Sequence, residues 1–466
     1  MQLNHTTRGD NGWANAAAVV VLIGFTTAAF WRSLRFYFLS DDFYLVKFAN
    51  AFHFAVRPLF ATAGGDGFFR PIGYVSLALT SLWAGVNPVA WHASALALHV
   101  ANVILVFMLA SRLCASWLAV FFAAALFAVH GTRPEAAVWI AGRFDLVTTF
   151  FVLAGILLFL RSYHQAASIG YVYTMGSLVC MVLAILSKES AYIFPLLLVL
   201  LLIATREQSC RIRVLIPFFV TAAALFVYRW RLFGGIGGYR DAHTGKAQTL
   251  TFGLATIKAL GLRIWTVLYF PINWSTEPAA WLVAMTLLYI GALIWLAANR
   301  RYRTEMIFPV GLILASVIPP LHLLGIGAGL GNSRLLYLPS VGFCLMLAIV
   351  IDRLEGRVRW IIPGVILAFH FGALQHNLNQ WEYVSRKARA ASAVAVDCIG
   401  PSAGKISVFG VPGTLRGVPF FANVLPENLE LQRRNAAERL DPSKRTLSNT
   451  VLWDSVEDRL RCVEQR

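Results

Sequence analysis

Up to residue 375 the chain alternates long apolar blocks with short polar segments, and after that point the pattern changes. Blocks such as Ala14 to Phe30, Leu118 to Val129 and Met306 to Leu324 carry almost no charge. About 20 apolar residues in a helix cross ~30 Å of hydrocarbon. The pattern predicts spans near 14–38, 92–111, 115–129, 145–161, 171–187, 191–204, 212–229, 279–298, 306–323, 335–351 and 359–375. Two further apolar stretches, 43–60 and 251–272, carry Lys47, Arg57, Lys258 and Arg263 at intervals and read as helices in the membrane interface; a crossing by 251–272 is the alternative. From 376 onward charge, Pro and Gly recur, and Lys405 to Val411 alternates like a strand. The expected fold is an all-α polytopic membrane protein of about eleven transmembrane helices with interfacial helices. Residues 1–375 form its membrane domain and 376–466 a small extracytoplasmic α+β domain.

Composition agrees: 58% of the 466 residues are hydrophobic and 14% charged, against roughly a quarter charged in a soluble domain, and the mean hydropathy is +0.65. The net charge of +17 suggests a nucleic-acid ligand, but the basic residues punctuate apolar blocks and form no continuous soluble face. They fit membrane lipids, topology and an anionic ligand, with no nucleic-acid partner. The polar lead with Arg8 followed by a long apolar stretch reads as an uncleaved signal anchor. Arginines 206, 211, 213, 300, 301, 303, 353, 357 and 359 fall on one side of the predicted spans. That side is cytoplasmic by the positive-inside rule, which puts the N-terminus inside and the tail outside. The long segments 39–91, 130–144 and 230–278 then share the outer face, which is rich in both charge signs. Charges beside apolar helices face water, pair, or bind something, so an outward polar cavity is expected.

Candidate chemistry lies on that face. Ser40, Asp41 and Asp42 precede an apolar run. Their adjacent carboxylates suit a general base or a metal site, and the same residues suit a helix N-cap. His130, Thr132, Arg133, Glu135, Trp139, Arg143 and Asp145 form a second cluster, either an anion site or a salt-bridged turn. Ser187, Lys188, Glu189 and Ser190 make a third polar turn, for which a solvated loop is the favoured reading. Asn332, Ser333, Arg334 and Tyr337 open a span, where an Arg at a helix start calls for an anionic partner. Arg229, Arg231, Arg240 and Lys246 flank glycines 234, 235, 237 and 238, either a loop closing over phosphate or a plain connector. His92, His99 and Asn102 share a face of the second span and suit hydrogen bonds between helices. Cys398 and Cys462 are the two cysteines of the tail, a candidate disulfide if it faces an oxidising compartment and two unrelated thiols otherwise. The chain has no Walker A loop, HExxH helix, GxSxG elbow or CxxC pair, which removes the usual support for ATPase, zinc-protease and serine-esterase chemistry.

In order, DDF at Asp41 to Phe43, FRP at Phe69 to Pro71, HGTRPEAAVWIAGRFDL at His130 to Leu146, SKES at Ser187 to Ser190 and NSRLLYLPSVGF at Asn332 to Phe343 resemble GT-C membrane glycosyltransferases. The closer likeness is to the protein O-mannosyltransferase clan, including the transmembrane and tetratricopeptide-repeat O-mannosyltransferases and their bacterial relatives. The resemblance implies a GT-C fold and transfer, generally inverting, from a polyprenyl-phosphate-linked sugar donor to a hydroxyl of a lipid, glycan or protein acceptor. It implies an extracytoplasmic site in a bacterial inner membrane and no cofactor, although the paired carboxylates leave a divalent metal open. It implies Asp41 as base with Asp42 adjacent, Arg143 and Glu135 lining the site, and Arg334 with Tyr337 toward the lipid phosphate. Arg133, Lys188, Glu189 and Arg240 complete the expected substrate-binding set. A transporter or lipid flippase with an anion site is the rival from another class, though no internal repeat supports it. An O-antigen-ligase-like enzyme using a pyrophosphate-linked donor is the second, and the large outer loops fall too early in the chain to favour it.

Overall fold

A computed structural model describes residues 12–52, 68–163, 167–205, 212–238, 264–272, 300–320, 330–399, 407–421 and 450–462, apart from a few single positions. The helices are α1 Gly12–Phe30, α2 Asp42–Ala51, α3 Pro71–Ala84, α4 Pro88–Leu113, α5 Trp117–Val129, α6 Arg133–Ala137 and α7 Arg143–Ser162. They continue with α8 Ala167–Ile185, α9 Phe194–Thr205, α10 Ile216–Phe233, α11 Ile264–Tyr269, α12 Arg300–Val317, α13 Pro339–Ile351 and α14 Val358–Ile399. Among the described residues six helices are long and apolar enough to cross a membrane, and five more are shorter and apolar. The chain is a multi-pass membrane protein. The predicted span 279–298 and most of 251–272 lie outside the described residues.

Local chemistry sets the helix ends. Asn87 accepts the Val89 N–H at 3.0 Å ahead of Pro88, a proline placed where no intrahelical N–H is needed. Ser116 accepts the Ala119 N–H to start α5. The Asp352 carboxylate, at the end of α13, takes the Ala115 and Ser116 N–H groups at 2.8 and 2.6 Å. It thereby ties two helices together by supplying acceptors to otherwise orphaned donors. α4 packs on α5 and α7, α7 on α8, α12 on α9 and α13, and α13 on α5. α5, buried from Phe122 to Val129, sits at the centre, and α10 and the first part of α14 expose apolar faces such as Phe219, Val220, Trp360 and Ile361.

Two elements depart from the sequence pattern. α3 lies inside the predicted first outer loop; its 14 residues fall short of a span, and Pro71 gives it a clean start. α14 runs unbroken past 375, where the apolar pattern ends. Its later part stays helical because Leu378, Trp381, Val384, Ala388, Ala391 and Ala395 recur on one buried stripe. Strands β1 Ser407–Phe409, β4 Thr450–Asp454 and β5 Arg459–Cys462 form a sheet ordered β1-β4-β5 that packs on α14. The hairpin β2 Thr414–Leu415 with β3 Val418–Pro419 stands beside it. The tail is thus the small α+β part expected, begun by a helix shared with the membrane region.

Candidate active site

A cavity of about 750 Å³ opens between α2, α3, α7, α9 and α10. Its polar wall holds Asp41, Asp145 and Glu189 with Arg70, Lys188, Arg229 and Arg334. Its apolar wall is Pro195, Leu196, Phe219, Ala222, Ala223 and Phe226 from α9 and α10. Tyr44, Tyr74, Phe68 and Phe144 line the side next to Asp41.

Asp41 caps the start of α2, as the sequence allows, but makes no side-chain cap bond, which leaves its carboxylate toward the cavity. Solvent reaches it there, yet most of its surroundings are protein. Burial raises its pKa above the ordinary carboxylate value, and the Arg334 charge and the Ser40 hydroxyl at 3.5 Å pull it back in part. Asp42 points inward instead. Both of its oxygens accept backbone N–H groups, Leu39 at 3.0 Å and Ala141 at 3.2 Å, so the pair does not present two carboxylates to the cavity. Burial pushes the Asp42 carboxyl well above its usual range, while those N–H groups pull the other way.

The cations are arranged in pairs. Lys188 Nζ lies 2.6 and 2.7 Å from the two Asp145 oxygens. Burial lowers the Lys188 ammonium from its ordinary value, Asp145 offsets part of this, and Arg70 and Arg334 add to the lowering. Arg70 grips Glu189 bidentately at 3.0 and 2.5 Å and lies over the Phe68 ring. α3 brings it there, because the Ile72 N–H bonds the Leu186 carbonyl at 3.0 Å. Burial alone would raise the Glu189 pKa; the charge and hydrogen bond of Arg70, with the charges of Arg229 and Lys188, together outweigh it and hold the carboxyl at about 2. Arg229 differs, with its Nε donating to the Ile236 carbonyl at 3.1 Å and its side chain 5.1 Å from the Phe233 ring. It is buried and lines the cavity, and among the described residues its bond goes to a carbonyl instead of a carboxylate.

Glu135 stands behind this wall. It accepts the Asn332 and Arg334 N–H groups at 2.9 and 2.8 Å, the Ser333 hydroxyl at 3.1 Å and the Arg334 guanidinium at 2.5 Å. It is the anion that the Arg334 turn calls for. Asn332 there adopts φ 69°, which Asn tolerates better than most side chains. Arg334 also lies 4.7 Å from the Trp139 ring, whose Nε1 donates to the Leu39 carbonyl at 3.2 Å.

Three expected binding residues sit away from the cavity wall. Arg133 is fully buried, donating to the Phe127 carbonyl at 2.7 Å and to Ser340 at 2.8 Å. Arg143 bonds the Ser76 carbonyl at 3.0 Å and the Thr80 and Ser94 hydroxyls. The Tyr337 hydroxyl meets His99 Nδ1 at 2.7 Å and Asn102 Nδ2 at 3.2 Å, joining helices. The polar atoms that all three bond lie inside the bundle, where an unpaired group is costly. Arg240 and the Cys398 side chain lie outside the described residues. Cys462 is disulfide-bonded. Arg70, named in the sequence only as part of the FRP motif, is brought into the site, as are Asp145 of the second cluster and Arg229 of the glycine-flanked loop.

No family model matches the sequence. Among curated proteins, the protein O-mannosyl-transferase Tmtc1 of Drosophila melanogaster is 35% identical over 99 residues, 21% of this chain and 12% of that protein. Human TMTC3 is 26% identical over 187 residues, 38% of this chain and 20% of its own length. Mouse TMTC1 is 27% identical over 191 residues, 35% and 20% respectively. The chain is similar to the protein O-mannosyl-transferases. It spans a fifth or less of the length of these relatives. Among solved structures, ArnT from Cupriavidus metallidurans bound to undecaprenyl phosphate aligns over 96% of this chain and 94% of its own, with a TM-score of 0.41 and 16% identity.

Proposed function

We propose that the chain is a GT-C glycosyltransferase that moves a sugar from a polyprenyl-phosphate donor to an acceptor hydroxyl, with inversion. One observation carries this reading: a single cavity joins an available carboxylate, four cations and an apolar wall. Asp41 takes the proton as the acceptor oxygen bonds to the anomeric carbon. The bond from that carbon to the phosphate oxygen breaks, and its electrons remain on the polyprenyl phosphate. Arg229, Arg334 and Lys188 stabilise the charge that develops there, where fixed donors act most strongly. The apolar wall of α9 and α10 takes the first units of the prenyl chain. Residues 1–375 form the catalytic membrane unit and 376–466 an extracytoplasmic accessory, in a bacterial inner membrane.

The test is to incubate the purified chain with polyprenyl-phosphate sugars, mannose first, and an extract of acceptors, and to follow donor consumption. Asp41→Asn should abolish transfer while the protein stays folded in the membrane. Full activity in that variant overturns the assignment.

A further inference from the structure

The backbone just before Asp41 is in an unfavourable conformation. Ser40 has φ 46°, in the left-handed region that side chains other than glycine rarely adopt. Such a conformation persists only where the surroundings impose it. Here they come from the C-terminal region. The Ser40 N–H donates to the Phe420 carbonyl at 2.6 Å. The Phe43 and Phe421 rings stack with centroids 5.8 Å apart and planes 15° apart. Phe420 lies edge-on to Trp453 of β4 at 5.1 Å, which backs the contact with the sheet. Phe43, Phe420 and Phe421 are all buried. Upstream, the Tyr37 N–H donates to Ser385 at 2.6 Å and Arg389 to the Arg35 carbonyl at 3.3 Å, so α14 pins the other end of the same segment. Among the described residues the hydrogen-bond partner of the Asp41 side chain is the distant Ser40 hydroxyl, so its position is inherited from this backbone.

We propose that Phe420 and Phe421 are positioning residues: the C-terminal region clamps the Ser40 turn and thereby presents the Asp41 carboxylate to the cavity. The inference rests on Asp41 as the proposed base, but the clamp itself can be tested without that reading.

The experiment uses the full chain in lipid nanodiscs. Maleimide labelling of an Asp41→Cys variant, read at that peptide by mass spectrometry, is compared with and without Phe421→Ala, with Ser190→Cys as a second cavity position. The clamp predicts that Phe421→Ala speeds labelling at position 41 severalfold and leaves position 190 unchanged. With Asp41 intact and polyprenyl-phosphate mannose as donor, Phe421→Ala should lower kcat about ten- to a hundredfold at unchanged donor KM, and Phe421→Tyr should restore it. Unchanged labelling at 41 overturns the inference, and so does a parallel rise at 41 and 190, which marks general loosening. If Asp41→Asn retains transfer, the base assignment fails while the labelling still decides the clamp.

Discussion

Asp41 and Asp42 differ by one position and face opposite ways. A helix start turns successive side chains by about 100°, so Asp42 meets the Leu39 and Ala141 amides while Asp41 meets the cavity. This gives the proposed reaction a pH signature. A general base works ionised, and burial raises the Asp41 pKa while Arg334 lowers it. The rate should therefore fall on acidification at a pH above the ordinary carboxylate range. Arg334→Gln removes the lowering charge, so the same limb should move to still higher pH, whatever the variant does to the maximum rate. A pH profile of kcat/KM for the two proteins checks this; an acid limb that stays put or moves down in Arg334→Gln argues against Asp41 as the base.

Elements whose apolar positions repeat without charge were legible in the sequence, and so were the turns Ser40–Asp42, Ser187–Ser190 and Asn332–Arg334 that break them. The partners of those turns were not. Glu135 and Arg334 lie 199 positions apart, and nothing local tells that they bond. Nor does a cluster such as Arg133, Glu135 and Arg143 reveal which member faces inward, because that depends on acceptors such as Ser340 and Ser94 on other helices. Gly142 shows how closely these elements meet. A Cβ there would come within 2.5 Å of the Glu135 and Ala136 carbonyl oxygens, which are backbone atoms that cannot rotate away. Gly142→Ala should push α6 off α7, cost about 1–3 kcal/mol, and loosen Arg334 through Glu135. Gly364 in α14 has nothing within 4 Å, so Gly364→Ala should stabilise by about 0.5–1 kcal/mol from helix propensity. Thermal unfolding of the two variants in detergent measures the contrast, and equal effects would mean that close packing at Gly142 does not matter.

The whole molecule has a topological constraint that hydropathy alone leaves open. The Ser40 turn touches Phe420, so the two lie on one side of the membrane and an even number of crossings separates them. Asp41, Lys188, Glu189, Arg229 and Arg334 share one cavity, so the turns that carry them lie on that side too. The predicted spans have this parity, with four between Asp41 and Lys188 and two between each later pair of turns. Added to those spans, a lone extra crossing within 251–272 would put Arg334 and Phe420 on the side opposite Asp41. From the arginine-rich loops we propose that the shared side lies outside the cytoplasm. A reporter enzyme that is active only outside should accordingly work when fused after residue 466 and fail when fused before residue 1. The tail chemistry supplies an independent reading of the same side. Cys462 on β5 is disulfide-bonded, and disulfides persist in oxidising compartments and are rare in the cytosol. Cys398 is its candidate partner, so the native protein should show a gel-mobility shift on reduction that Cys398→Ser abolishes. A shift that survives in Cys398→Ser would move the bond to another cysteine, whereas a tail reporter active in the cytoplasm would carry Asp41 and the whole cavity inside with it, since the contact between Ser40 and Phe420 does not let one move without the other.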